Sequence, residues 1–138
     1  MELRFHHIGY AVKDIRKYLD DFLIPMFAPE RITDPVSDPL QRVTVCFAEM
    51  RGGTTIELVE PLGENSPVDA IIGSSRGGVY HLCFEADDLD AELARFRGKR
   101  CVPLGKPVPA VAFGGRRIVF VLTPERDLIE IVEAQQSS

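Results

Sequence analysis

Two stretches of this chain repeat one another. "FHHIGYAVKDI" begins at Phe5 and "VYHLCFEADDL" begins at Val79, 74 positions later. With that offset His7 meets His81, Ile8 meets Leu82, Tyr10 meets Phe84, Asp14 meets Asp88, Ile15 meets Leu89, Leu19 meets Leu93 and Phe22 meets Phe96. Further on, "TTIELVEP" at 54–61 matches "DLIEIVEA" at 127–134 with an offset of 73, pairing Ile56 with Ile129, Glu57 with Glu130, Val59 with Val132 and Glu60 with Glu133. Self-similarity over this length means two copies of one supersecondary unit, so the fold must be one that a duplication can build.

Periodicity assigns the elements of each copy. Ile8, Tyr10 and Val12 alternate with His7, Gly9 and Ala11, which is a strand with one face on a core. From Asp14, an N-cap type residue, Ile15, Tyr18, Leu19 and Phe22 fall at helical spacing; Leu89, Leu93 and Phe96 do the same after Asp87 or Asp88. "RVTVCFAEM" and "TTIELVEP", joined by "RGG", read as a hairpin, as do "RRIVFVL" and "RDLIEIVEA" joined by "TPE". A short strand is expected before each hairpin, near Glu30 to Thr33 and near Cys101 to Leu104, where prolines weaken the pattern. The prediction is an α+β fold of two βαβββ modules whose curved sheets surround a metal-binding cup. Module one covers about 3–61, a Pro/Gly/Ser-rich linker about 62–77 with a helical turn at Pro67 to Ile72, and module two about 78–134, all in one domain of 138 residues. "PERITDPVSDPLQ" and "PLGKPVPAVAFGG" are irregular and suit the rim of a pocket.

Strand parity then groups the polar repeats. If Ile8, Tyr10 and Val12 face the helix, His7 faces away, and His81 likewise faces away from Leu82, Phe84 and Ala86. If Ile56, Leu58, Ile129 and Ile131 face the helices, Glu57 and Glu130 face away from them. Carboxylates buried among apolar neighbours are costly unless paired, and a divalent cation held by two neutral imidazoles and two carboxylates neutralises the charge and satisfies the rings. Each residue alone fits a solvated or hydrogen-bonded role. The chain has only three histidines, however, and two of them stand at equivalent points of the copies. Glu60 and Glu133 also recur, but parity puts them on the helix side in structural or exposed positions.

Charge and composition exclude other classes. There are 16 Lys plus Arg against 21 Asp plus Glu, a net charge of −5, so a nucleic-acid partner is not expected. No apolar run approaches the ~20 residues of a spanning helix, and "MELRFHH" lacks the order of a signal peptide, which predicts no membrane association and a cytoplasmic location. Cys46, Cys83 and Cys101 are odd in number without C-x-x-C spacing and read as reduced, buried packing residues.

Paired βαβββ units with a His on the first strand and a Glu on the last strand of each resemble the vicinal oxygen chelate superfamily, which includes glyoxalase I, methylmalonyl-CoA epimerases, extradiol dioxygenases and bleomycin-resistance proteins. The resemblance covers nearly the whole chain. "HHIGYAVKDI", "IELVEPLGENSPV", "HLCFEADDLDA" and "FGGRRIVFV" followed by "LIEIVEA" are most similar to the methylmalonyl-CoA epimerase family. That likeness implies His7, Glu57, His81 and Glu130 as ligands of a divalent ion (Co, Ni, Mn, Zn or Fe), two coordination positions open to water or substrate, Glu130 as ligand and proton-transfer residue, and a homodimer. The implied activity is a metal-dependent isomerase, epimerase or lyase that enolises a small acyl-CoA or α-hydroxycarbonyl substrate. The alternatives are a glyoxalase I-like lyase and a non-catalytic, antibiotic-binding protein of the bleomycin-resistance type; the latter typically lacks the full ligand set. A dioxygenase is disfavoured because its iron uses two histidines and one carboxylate.

The chain departs from the epimerase pattern on the strand "RVTVCFAEM", where some epimerases carry a second acid. Val43, Thr44, Val45 and Cys46 stand there, and Glu49 comes only near the turn. Arg97, Lys99, Arg100, Lys106, Arg116 and Arg117 offer cations for the phosphates of a CoA-type substrate, but such clusters are more often solvated surface.

Overall fold

β1 (Leu3–Ala11) runs into a helical segment, α1, through Asp14, whose carboxylate accepts a hydrogen bond from the Lys17 amide at 3.0 Å. The computed structural model describes residues 3–75 and 78–135. After α1 (residues 15–27) come β2 (Arg31–Ile32), β3 (Val36–Asp38), β4 (Val43–Glu49), β5 (Thr55–Pro61) and α2 (Asp69–Ser75). The second half follows with β6 (Gly78–Ala86), α3 (Leu89–Arg97), β7 (Val102–Pro103), β8 (Val108–Pro109), a 3₁₀ turn at Val111–Phe113, β9 (Arg117–Leu122) and β10 (Leu128–Glu133). Asp88 is the N-cap of α3, accepting from the Ala91 amide at 3.0 Å.

The chain divides into two compact bodies. One is His7–Tyr80; the other joins the chain up to His6 with the chain from His81 onward. In the first body the strand order is β2-β4-β5-β1, with β3 on β4; β1 and β5 run parallel and the β4–β5 hairpin is antiparallel. Its core is Val12, Ile15, Leu19, Leu23, Cys46, Ala48 and Leu58, with Tyr10 and Ile56 packed against it. In the second body the order is β6-β10-β9-β7, with β8 on β9. Ala86, Leu89, Leu93, Cys101, Val119, Val121, Ile129 and Ile131 form its core, flanked by Phe84 and Phe96. Each helix therefore covers the sheet face that the apolar alternation predicts, and the α+β expectation holds.

Three details differ from the sequence reading. β3 and β8 are additional two- or three-residue strands within the stretches expected to be irregular; both lie on the outer side of a hairpin, where in β8 the missing N–H of Pro109 is tolerated. α1 continues past Leu23 to Phe27, passing through a π turn at Leu19–Leu23 in which the Ile24 amide bonds back to the Leu19 carbonyl. The widened turn relieves the clash that Pro25 would make in a regular α-helix, so the proline does not end the segment. Ala28, at φ 42, ends it instead. In the linker the helix is Asp69–Ser75, beginning two residues later than the expected turn.

Candidate metal centre

Register fixes the polar residues of each body. In the first, Glu57 of β5 lies opposite Gly9 of β1, two residues beyond His7, and opposite Phe47 across the hairpin. In the second, Glu130 of β10 lies opposite Cys83 of β6, two residues beyond His81, and opposite Phe120. The shift from 74 to 73 in the repeat thus leaves the two registers identical.

The side chains follow. His7 Nε2 stands 3.4 Å from Glu57 Oε1, and His81 Nε2 stands 3.2 Å from Glu130 Oε1. All four residues are buried, His7 completely and none above 4% exposed. A phenylalanine meets each imidazole edge to face: Phe47 against His7 at 5.4 Å and Phe120 against His81 at 5.3 Å between ring centroids. These rings restrict the imidazole orientations. Neither was picked out from the sequence, although Phe47 and Phe120 obey the 73-residue offset of the strands they pair with.

The donor set fits a divalent cation. Two donors bound to one ion at 2.0–2.2 Å stand about 2.8–3.6 Å apart, from octahedral to tetrahedral angles, and the two Nε2–Oε1 separations fall in that range. Imidazole nitrogen with carboxylate oxygen suits the borderline first-row metals. A carboxylate this deeply buried also needs a positive partner, which a cation supplies. Each His–Glu pair is therefore a site able to hold a metal ion.

The remaining sequence candidates lie elsewhere. Glu60 accepts from the Ile15 amide at 2.7 Å and so serves the start of α1. Glu133 is bound by Arg117 through Nη2 at 2.9 Å, Nε and the backbone amide; this hydrogen bonding holds its carboxyl below the usual range. Arg117 also reaches Asp90 at 3.4 Å. Arg116 donates to Glu85 Oε2 at 2.9 Å and to the Glu133 carbonyl at 3.1 Å. Arg97, Lys99, Arg100 and Lys106 are exposed. On β4 the residues sharing the face of Phe47 are Val43, Val45 and Glu49, and Glu49 is half exposed in an ion pair with Arg31 at 3.2 Å. No acid on that strand is directed with Phe47 among buried groups. The three cysteines are free and buried, and no helix among the described residues is long and apolar enough to cross a membrane.

Residues 6–120 match the family profile described as the Glyoxalase/Bleomycin resistance protein/Dioxygenase superfamily. The chain is 29% identical over 119 residues to the ethylmalonyl-CoA/methylmalonyl-CoA epimerase of Cereibacter sphaeroides, covering 86% of this chain and 87% of that one. It is also 29% identical to the human mitochondrial methylmalonyl-CoA epimerase, covering 97% of this chain and 74% of that protein. Among solved structures, a hypothetical protein of Bacillus halodurans C-125 superposes with a TM-score of 0.84 at 25% identity, covering 100% of this chain and 99% of that one. A variant of the Streptomyces coelicolor methylmalonyl-CoA epimerase in complex with 2-nitronate-propionyl-CoA superposes with a TM-score of 0.80 at 26% identity, covering 98% and 100%. A profile match running from the first histidine to the strand that faces Glu130 is a match to the duplicated scaffold itself, and the chain belongs to the glyoxalase/bleomycin resistance/dioxygenase superfamily.

Proposed function

We propose that this protein is a metal-dependent epimerase of an acyl-CoA, of the methylmalonyl-CoA type, and that His7, Glu57, His81 and Glu130 jointly hold one divalent cation, Co, Ni, Mn, Zn or Fe. The observation that carries the reading is the recurrence of one buried His–Glu pair in the same register in both halves, at 3.4 and 3.2 Å. The relatives named as acyl-CoA epimerases support the substrate class. So does the relative whose complex contains methylmalonyl-CoA.

When bound, the ion supplies positive charge to a thioester oxygen at the moment negative charge develops there. The chain's own residues do the rest. His7 and His81 present neutral nitrogens, their rings held by Phe47 and Phe120. Glu130 is the proposed proton-transfer group, a carboxylate able to take the α-proton as general base. Inversion requires a proton donor on the opposite side. Val43, Val45 and Phe47 provide none, and in this proposal that role belongs to Glu57, the other carboxylate of the proposed donor set. The protein works as a homodimer in the cytoplasm, in keeping with three free cysteines.

The test is α-proton exchange of methylmalonyl-CoA in deuterated water, with protein purified, stripped by chelator and reloaded with each metal in turn. Metal-dependent deuterium incorporation and interconversion of the epimers are the expected results. Metal bound without exchange would reject the enzymatic reading, and no metal bound would favour ligand sequestration.

A further inference from the structure

The duplication is broken at the Glu85–Arg116 pair. Glu85 follows His81 and Cys83 on the same face of β6, and its counterpart in the first copy is Ala11. Arg116 precedes β9, in line with Ile118 and Phe120, and its counterpart is Val43. The first body packs without either charge, so the scaffold does not require them.

Arg116 is held on three sides. Nη1 donates to Glu85 Oε2 at 2.9 Å and to the Glu133 carbonyl at 3.1 Å, Nε donates to the Phe113 carbonyl at 3.3 Å, and the guanidinium lies 5.4 Å from the centroid of the Phe113 ring. Phe113 is itself buried and met edge-on by His6 at 5.3 Å. Nη2 donates to none of these partners, and a quarter of the side chain remains exposed. A guanidinium fixed by several hydrogen bonds while part of the side chain stays exposed can bind anionic oxygens with little loss of side-chain entropy. Arg4 binds Glu85 at 2.9 Å and Asp87 at 2.9 Å, so Arg116 stands in a chain of two guanidiniums and two carboxylates and keeps part of its side chain exposed. Four residues of strand separate His81 from Glu85, about 13 Å at 3.3 Å per residue, which a substrate longer than its reacting carbonyl can span.

We infer that Arg116, anchored by Glu85, Glu133 and Phe113, is a specificity residue that binds an anionic group of the substrate on the face of β6 that carries His81. The inference rests on the acyl-CoA reading and names the anionic oxygen as a phosphate of the carrier, because the free carboxylate of the acyl part is bonded to the reacting α-carbon and cannot span the distance between His81 and Glu85.

Calorimetric titration of the chelator-treated protein tests it without turnover. Four compounds separate the sources: methylmalonyl-CoA, its methyl ester, and the pantetheine forms of both. Arg116→Ala is expected to weaken methylmalonyl-CoA about ten- to hundredfold, as loss of a charge-assisted bond does, and to leave the uncharged pantetheine ester unaffected. Arg116→Lys, which keeps a cation beside Glu85, should fall between and gives the same contrast should the alanine variant not fold. Loss confined to the compounds with the nucleotide supports the inference; loss confined to those with the free carboxylate overturns it. Equal weakening of all four compounds, or of none, overturns the inference. If wild-type protein catalyses no exchange, the acyl-CoA reaction fails separately, since the binding contrast does not depend on it.

Discussion

Glu130 lies directly across the β10–β9 hairpin from Phe120, whose ring meets the imidazole of His81 edge to face at 5.3 Å. The phenylalanine thus touches the partner of the residue it faces. Phe120→Ala removes that wall. The expected result is a stability loss of about 2–3 kcal/mol by urea unfolding, below the full cost for a buried ring because Phe120 is half-buried, and weaker metal binding by about tenfold. Unchanged metal affinity would show that the ring only packs.

Glu57 and Glu130 differ in their proposed tasks, and the amide substitution separates them. Glu57→Gln retains an oxygen donor and should keep the metal and proton exchange while losing inversion by about 10²-fold or more, as removal of one acid–base group does. Glu130→Gln should lose exchange itself. Deuterium content of each epimer, followed by NMR, distinguishes the two, and equal effects of both substitutions would remove the division of labour.

Glu133 has its carboxyl lowered first by the hydrogen bonds of Arg117. A group lowered on folding contributes stability above its unfolded value, near 4.3, and loses it as pH falls through the folded value. Arg117→Met should therefore be less stable than wild type at pH 7, and the difference should shrink towards pH 3. Urea unfolding at the two pH values reads this, and a difference independent of pH would place the contribution of Arg117 in packing.

Cys46 is 1% exposed, and its thiol is pushed up to about 11 by burial first and then by the carboxylates of Glu57 and Glu60. Since the thiolate is the nucleophile, Ellman's reagent at pH 8 should leave Cys46 unreacted in the native protein. All three thiols should react in denaturant. Rapid modification of native Cys46 would contradict its burial in the core beneath α1.

The duplication made most of this legible in the sequence. Two strand starts and two strand ends repeat, and a period of two turns each repeat into a statement about faces, so His7, Glu57, His81 and Glu130 could be grouped before any coordinates. What stayed hidden lay where local rules are weak. Pro25 lies inside α1, and the π turn before it has no signature in the apolar spacing of Ile15, Tyr18, Leu19 and Phe22. β3, flanked by Pro35 and Pro39, and β8, which ends on Pro109, are short edge strands recognisable only from their hairpin partners. Phe47 and Phe120 look like ordinary strand residues until the register puts them opposite the glutamates. Arg116 read as one member of a basic cluster, because nothing local marks the Glu85 carboxylate that it meets from 31 positions away.

The most direct measurement is metal stoichiometry by equilibrium dialysis and elemental analysis, on wild type and on His7→Ala and His81→Ala. One ion shared by both halves predicts one equivalent per chain, abolished by either substitution. Two equivalents in the wild type, or one ion surviving the loss of either histidine, would show that each His–Glu pair acts alone.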